Sequence, residues 1–307
     1  MKKFNFFITI LLIVLVVLIA LNSKVFISAA LNGISAWAFN VLPCIFPFMI
    51  ITKIIMSMGQ VEKFCKPFSR PFLKLYGTSG SSAYVFFMSI LAGYPVGSQM
   101  VASLYESGKI DKTQAYRMSS FCSNSGPMFI IGTVGCLLLK NAAVGGILFA
   151  SHVLSALLNG LVYRKIRARG NTQNAEENVQ VLPASQSFGD MVGTSVQAIL
   201  NVGGIICFFF IIIEALSPFL GLLPGAIRPL AEGLIELTRG CIDASNLPTF
   251  AASVMCSFMI GFGGFSTILQ SMTMLKKLRM PVWLFSVMKF SQGLISAGIT
   301  AVLMLAI

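Results

Sequence analysis

Charge is missing from long stretches of this chain, and that absence commits it to a fold solvated by lipid. No Asp, Glu, Lys or Arg occurs in residues 4–21, 81–104, 119–139, 142–163 or 249–272. Residues 29–57 hold Lys53 alone, 191–216 hold Glu214 alone, and 281–307 hold Lys289 alone. Eighteen residues of helix rise about 27 Å, close to the thickness of a bilayer core. Charged residues make up 10% of the chain, against about 25% in a domain that must cover its surface in water. The pattern predicts an all-α polytopic membrane protein and excludes an ordinary soluble enzyme.

The charges that remain sit between the apolar runs. Lys and Arg exceed Asp and Glu by 22 to 10, for a net charge of +12. In this setting the excess reads as cytoplasmic loops facing anionic lipid, and nucleic acid is not an expected partner. Residues 60–76 alternate Lys63, Lys66, Arg70 and Lys74 with Phe64, Phe68, Phe72 and Leu75, which predicts an amphipathic segment lying in the interface. Pro67 and Pro71 predict that it is irregular. The seven cysteines include no C-x-x-C pair, so neither a disulfide framework nor a metal site is expected. The single histidine, His152, reads as a packing residue within its span.

The apolar runs also divide the chain. Residues 1–28 read as an N-terminal membrane anchor, because the run is longer than a signal peptide's apolar region of about 7–15 residues. Residues 29–163 form a first membrane repeat, 164–188 a polar cytoplasmic linker that opens with Arg164, Lys165, Arg167 and Arg169, and 189–307 a second repeat. Shifting the chain by 161 places Asn40-Val41 on Asn201-Val202. Shifting it by 171 places Phe87-Met88 on Phe258-Met259, Gly93 on Gly264 and Gln99 on Gln270. Each half then runs kinked span, amphipathic segment, glycine-broken segment, span. If 81–104 and 249–272 are re-entrant hairpins, most loop Lys and Arg fall inside, and the two repeats are inverted relative to one another. Full crossing by 249–272 places still more of them inside, so the charge rule and the symmetry disagree at that segment.

The broken segments are where a solute site is expected. Irregular backbone at membrane depth survives only inside protein or beside a water-filled cavity. Gly93, Tyr94, Pro95 and Gly97 together predict an interruption, and Ser98 and Gln99 add donors at the helix start beyond it. Ser123, Asn124 and Ser125, followed by Gly126-Pro127, form a second polar break. Gly263, Gly264, Ser266 and Gln270 supply the counterpart from the other half. Lys289 is an intramembrane cation and a candidate ligand for an anion. Together these residues predict binding of a small polar or anionic solute. A coupling ion and a homo-oligomer are both compatible with that reading. No cofactor is implied, and no nucleophile elbow, zinc-protease or P-loop motif is present to suggest an enzyme or an ATP-driven pump.

Three stretches carry a family resemblance: Ala92-Gly93-Tyr94-Pro95-Val96-Gly97, then Glu106-Ser107-Gly108-Lys109-Ile110, then Phe121-Cys122-Ser123-Asn124-Ser125-Gly126-Pro127-Met128. Together they resemble the sporulation integral membrane protein YlbJ family, and Gly263-Gly264-Phe265-Ser266 resembles that family's later Ser-Phe-Gly-Gly stretch. The wider group carries the nucleoside-recognition or Gate domain, similar to part of concentrative nucleoside transporters. The resemblance implies a carrier of endospore formers that moves dipicolinic acid across the outer forespore membrane. A nucleoside or nucleobase carrier and a non-transporting scaffold for spore maturation stand as alternatives.

Overall fold

Apolar sequence becomes helix throughout the computed structural model, which describes residues 2–58, 60–168 and 187–306. Fourteen α-helices are described: α1 (Lys2–Leu21), α2 (Ser23–Ser35), α3 (Leu42–Ser57), α4 (Gln60–Tyr76), α5 (Ser81–Ala92), α6 (Tyr94–Glu106), α7 (Lys112–Ser119), α8 (Ala142–Val162), α9 (Phe188–Leu220), α10 (Arg228–Ile235), α11 (Leu237–Ala244), α12 (Thr249–Phe262), α13 (Gly264–Met274) and α14 (Val282–Leu305). No strand occurs among the described residues. Two π-helical stretches, Ala36–Val41 and Met128–Leu138, complete the membrane segments. Among the described residues five segments are long and apolar enough to cross a membrane: Ser23–Ile55, Ala142–Val162, Phe188–Leu220, Thr249–Met274 and Val282–Leu305. The chain is a multi-pass membrane protein. Most of the expected polar linker, residues 169–186, lies outside the described residues.

Prolines act more gently than the sequence suggests. α2, the π stretch and α3 run on as one span, and the π turn ends just before Pro43 with Leu42 N donating to Trp37 O. The wider turn absorbs the N–H that Pro43 lacks. α4 is continuous through Pro67 and Pro71, not irregular. Its Lys63, Lys66 and Arg70 side is exposed, where carbonyls freed by the prolines can be hydrated. Its aromatic side packs on α5, through Phe68 against Phe87 and Phe72 against Phe86.

Two helix pairs fold back as hairpins. α5 and α6 pack against one another, and the turn between them is Gly93 alone, at φ 88°. That left-handed value suits glycine. Tyr94 already begins α6, with Pro95 at the helix start where no donor is required. The interruption expected across residues 93–97 is therefore one residue long. The second hairpin is α10 with α11, turning at Glu236. Gly233 and Gly240 face each other across it. By contrast, α12 and α13 make almost no contact with one another, and Thr249–Met274 is a single broken span. The re-entrant reading of 249–272 is corrected: the chain does not turn back at Gly263, and the partner of the first hairpin is residues 228–244. The charge rule had favoured full crossing of this segment.

These elements gather into two blocks. α2, α3 and α9 pack together, while α8, α12, α14, the second π stretch and the two hairpins form the other. Within each half the order is span, hairpin, broken helix, span. α7, residues 120–127 and the second π stretch make the broken helix of the first half, and α12 with α13 that of the second.

Candidate solute site

Each hairpin tip rests on a helix break. Gly126 lies against the Ile90 and Leu91 carbonyls and Gly93, which seats the first tip on the break at 123–126. Tyr94 crosses from that tip to donate its hydroxyl to Ile260 O near the second break. Gly264 packs on the second tip: a Cβ there would lie 3.0 Å from Gly233 O and 3.1 Å from Leu237 N. Gly263 and Gly264 have φ of 87° and 73°, so both the close approach and the backbone shape call for glycine.

A cavity of about 110 Å³ opens where these parts meet the other block. One wall is apolar, made of Val41, Ile45, Phe48 and Met49 with Ala198, Val202 and Ile206 from α9. The rest of the lining is mixed: Tyr94, Ser125, Glu236, Thr238, Ser266, Thr267 and Gln270 supply polar groups among Leu91, Met128, Phe129 and Leu237. Such a pairing of an apolar face with a few convergent polar groups is the usual make-up of a small-molecule site. Among the described lining residues Glu236 is the one carboxylate, and none is Lys or Arg.

The structure separates the expected site residues into groups. Gly93, Tyr94, Ser125, Ser266 and Gln270 line the cavity. Ser123 and Asn124 lie behind it and are buried, and Gly263 and Gly264 shape the second break. Gly97 is packed against α5 and the 122–126 stretch, and Ser98 is buried. Pro95 opens α6. Gln99 is exposed on α6 and absent from the cavity lining. Lys289 is absent from the lining and 1% exposed.

The break at 120–126 has its backbone polar groups met by side chains. Asn159 Nδ2 donates to Ser120 O at 2.7 Å, Asn124 Nδ2 to Phe121 O at 2.7 Å, and Lys289 Nζ to Ser123 O at 2.6 Å. Ser125 N donates to His152 Nε2 at 3.0 Å. This is the substitute bonding that a non-helical segment needs away from water. Glu236 and Thr238 had no sequence signal as site residues. They sit in a segment with five charges, Arg228, Glu232, Glu236, Arg239 and Asp243, which reads as a mixed, amphipathic stretch between spans. Four of the five are paired within the hairpin: Glu232, fully buried, bonds Arg228 at 2.8 Å and Arg239 at 3.3 Å, and Arg239 also pairs with Asp243 at 3.0 Å.

No protein-family profile matches the chain. It is 27% identical over 309 aligned positions to the sporulation integral membrane protein YlbJ of Bacillus subtilis strain 168, covering 88% of this chain and 75% of that protein. Its fold is similar to that of CNTnw, a concentrative nucleoside transporter, in an inward-facing substrate-bound state. The TM-score is 0.58 at 14% identity, over 94% of this chain and 86% of the other. The chain is thus similar in sequence to YlbJ over most of its length, and similar in its helical membrane fold to that transporter.

Proposed function

We propose that this chain, which is similar to YlbJ, is a membrane carrier that moves a small polar or anionic solute by alternating access, and that the solute is dipicolinic acid, moved across the outer forespore membrane during sporulation. The observation that carries the reading is the cavity where two hairpin tips and two helix breaks converge. Residues 29–163 and 189–307 act as the two repeats, behind a membrane anchor at 1–28 and joined by the 164–188 linker. The polar block shifts against the apolar wall of α3 and α9, exposing the cavity to one side and then the other. The apolar wall suits the face of an aromatic ring, and Gln270, Thr238 and Ser125 suit carboxyl or hydroxyl groups at its edge. Glu236 constrains the charge state. Beside a carboxylate and without a lining cation, a dicarboxylate enters protonated or paired with a cation.

That same charge balance favours a second reading, a nucleoside carrier, because a neutral solute rich in hydroxyls needs no compensation beside Glu236. Flux into proteoliposomes separates the two. Dipicolinate flux that uridine does not inhibit supports the first reading. Uridine flux alone replaces it with the second, and no flux of either from folded protein overturns both.

Within the carrier reading, Gln270→Ala is expected to lower dipicolinate flux about three- to tenfold, the loss of roughly one hydrogen bond. Gln99→Ala is expected to leave it unchanged, since that side chain is exposed and absent from the cavity lining. Equal effects of the two changes on initial rates, at matched protein levels, would count against the cavity as the solute site.

A further inference from the structure

Lys289 is a cation inside the last span with no counter-charge among its bonding partners. Its Nζ donates to Ser123 O and to Gln292 Oε1, both at 2.6 Å, and stands 5.5 Å from the centre of the Tyr94 ring. Gln292 in turn donates to Asn124 Oδ1 at 3.1 Å. One ammonium therefore ties the break at 123–126 to the first hairpin tip, directly behind two residues of the cavity wall, Tyr94 and Ser125. The titratable side chains on the elements around it are His152 of α8, Tyr163 just beyond that helix, Tyr84, Tyr94, Tyr105 and Glu106 of the hairpin, Cys122 of the break and Cys256 of α12; Glu106 ends the hairpin, where it pairs with Lys277. α8, α12 and α13 carry no Asp, Glu, Lys or Arg.

Two features suit this group to proton exchange. An ammonium held only by neutral partners is costly inside a membrane, so nothing but the protein's dipoles retains its charge. A neutral amine also keeps two N–H donors, enough for both bonds that Lys289 makes, so losing a proton strands no partner. The bonds persist but lose their charge assistance, which makes them roughly half as strong.

We infer that Lys289 is a proton-coupling site: protonated, it clamps the break to the hairpin tip in the solute-binding shape, and deprotonated, it lets that wall loosen. This rests on the carrier reading above. The proton enters at Nζ from one side of the membrane and leaves to the other, with no second reactant. Because linkage is reciprocal, a solute that needs the clamped wall raises proton occupancy at Lys289, so the two move together.

The test uses the full chain in proteoliposomes loaded with a pH-sensitive dye, with an imposed inside-alkaline gradient. The wild type is expected to concentrate dipicolinate, or uridine if that is the solute, and to acidify the interior when solute is added. Lys289→Arg holds its charge permanently and Lys289→Gln never carries one. In both, the downhill flux that remains is expected to lose its response to the gradient, together with the dye signal. Wild-type flux that ignores the gradient, or either variant concentrating solute as the wild type does, overturns the proposal. If the wild type moves neither solute, the carrier reading fails separately. Potentiometric titration of the folded protein then decides about Lys289: wild type and Lys289→Arg should differ by one proton per chain between mildly acid and mildly alkaline pH, and superimposable curves overturn the assignment.

Discussion

Gly97→Val should abolish the folded protein. A Cβ at Gly97 would fall on the Cys122 carbonyl oxygen, and would also lie 2.6 Å from Ser89 Cβ across the hairpin. The obstacle is main chain, so no side-chain rotation relieves it. The collision would push α6 away from both α5 and the break at 122–126, opening the hairpin at the level of the cavity. Inserting one methyl into a packed core costs about 1–3 kcal/mol. The three carbons of valine, set against backbone, should cost more than about 4 kcal/mol, in the tail of single-substitution effects. Four buried cysteines give the readout: Cys65, Cys122, Cys241 and Cys256 are each at most 1% exposed. In detergent, Gly97→Val should react at all four with a thiol probe at temperatures where the wild type does not. Gly146 is the control, since a Cβ there meets nothing within 4 Å. Gly146→Ala lies within α8 and should be neutral or stabilising by up to about 1 kcal/mol. A Gly97→Val protein as protected as wild type would mean that the α6 packing described above is wrong.

The membrane character of this fold, and most of its spans, could be read from the chain because one force sets both. Uncharged stretches long enough to cross a bilayer have few other places to go. What escaped was any feature that hydropathy does not encode. The second hairpin was hidden by its own charges. Arg228, Glu232, Arg239 and Asp243 read as an amphipathic stretch at the interface until folding pairs them within and between two eight-residue helices. The repeat was mismatched for a related reason. Gly93 and Gly264 both mark breaks, so a shift of 171 superposes them, yet one turns a hairpin and the other interrupts a span. A positive-φ glycine records that the helix stops, not whether the chain turns back. That depends on what each side then packs against.

The lining of the candidate cavity was legible in the same partial way. Glycine and serine clusters pointed to Gly93, Tyr94, Ser125, Ser266 and Gln270, because unwound backbone in a membrane must border a cavity. Which face each side chain takes was not legible. Gln99 and Ser98 follow the first tip by only a few residues, but α6 rotates one outward and the other into packing. Lys289 looked like a ligand because it is charged and deep. Its bond to Ser123 O gives it a supporting position instead, one that sequence spacing cannot reveal, since the partner lies 166 residues away.

The second large effect is expected at Asn124, where one amide holds three parts of the site together. Its Nδ2 donates to Ser89 Oγ at 2.9 Å and to Phe121 O at 2.7 Å, while its Oδ1 accepts from Gln292 Nε2 at 3.1 Å. The residue is fully buried, so no water replaces what is removed. Asn124→Ala leaves the Phe121 carbonyl and the Gln292 amide without these partners. Each stranded group costs about 1–3 kcal/mol, and the sum should be about 3 kcal/mol, read as earlier thiol exposure on heating. Ser89 is spared, because its hydroxyl still donates to Phe86 O at 2.7 Å. The pairing with Gln292 separates this account from a general loss of packing. Gln292→Ala should be destabilising alone, yet the double variant should cost less than the two single changes added together, by about 1 kcal/mol or more. Additive costs would mean that Asn124 and Gln292 do not share a bond, and that the break at 123–126 is not held from α14 in the way that also places Lys289 behind the cavity.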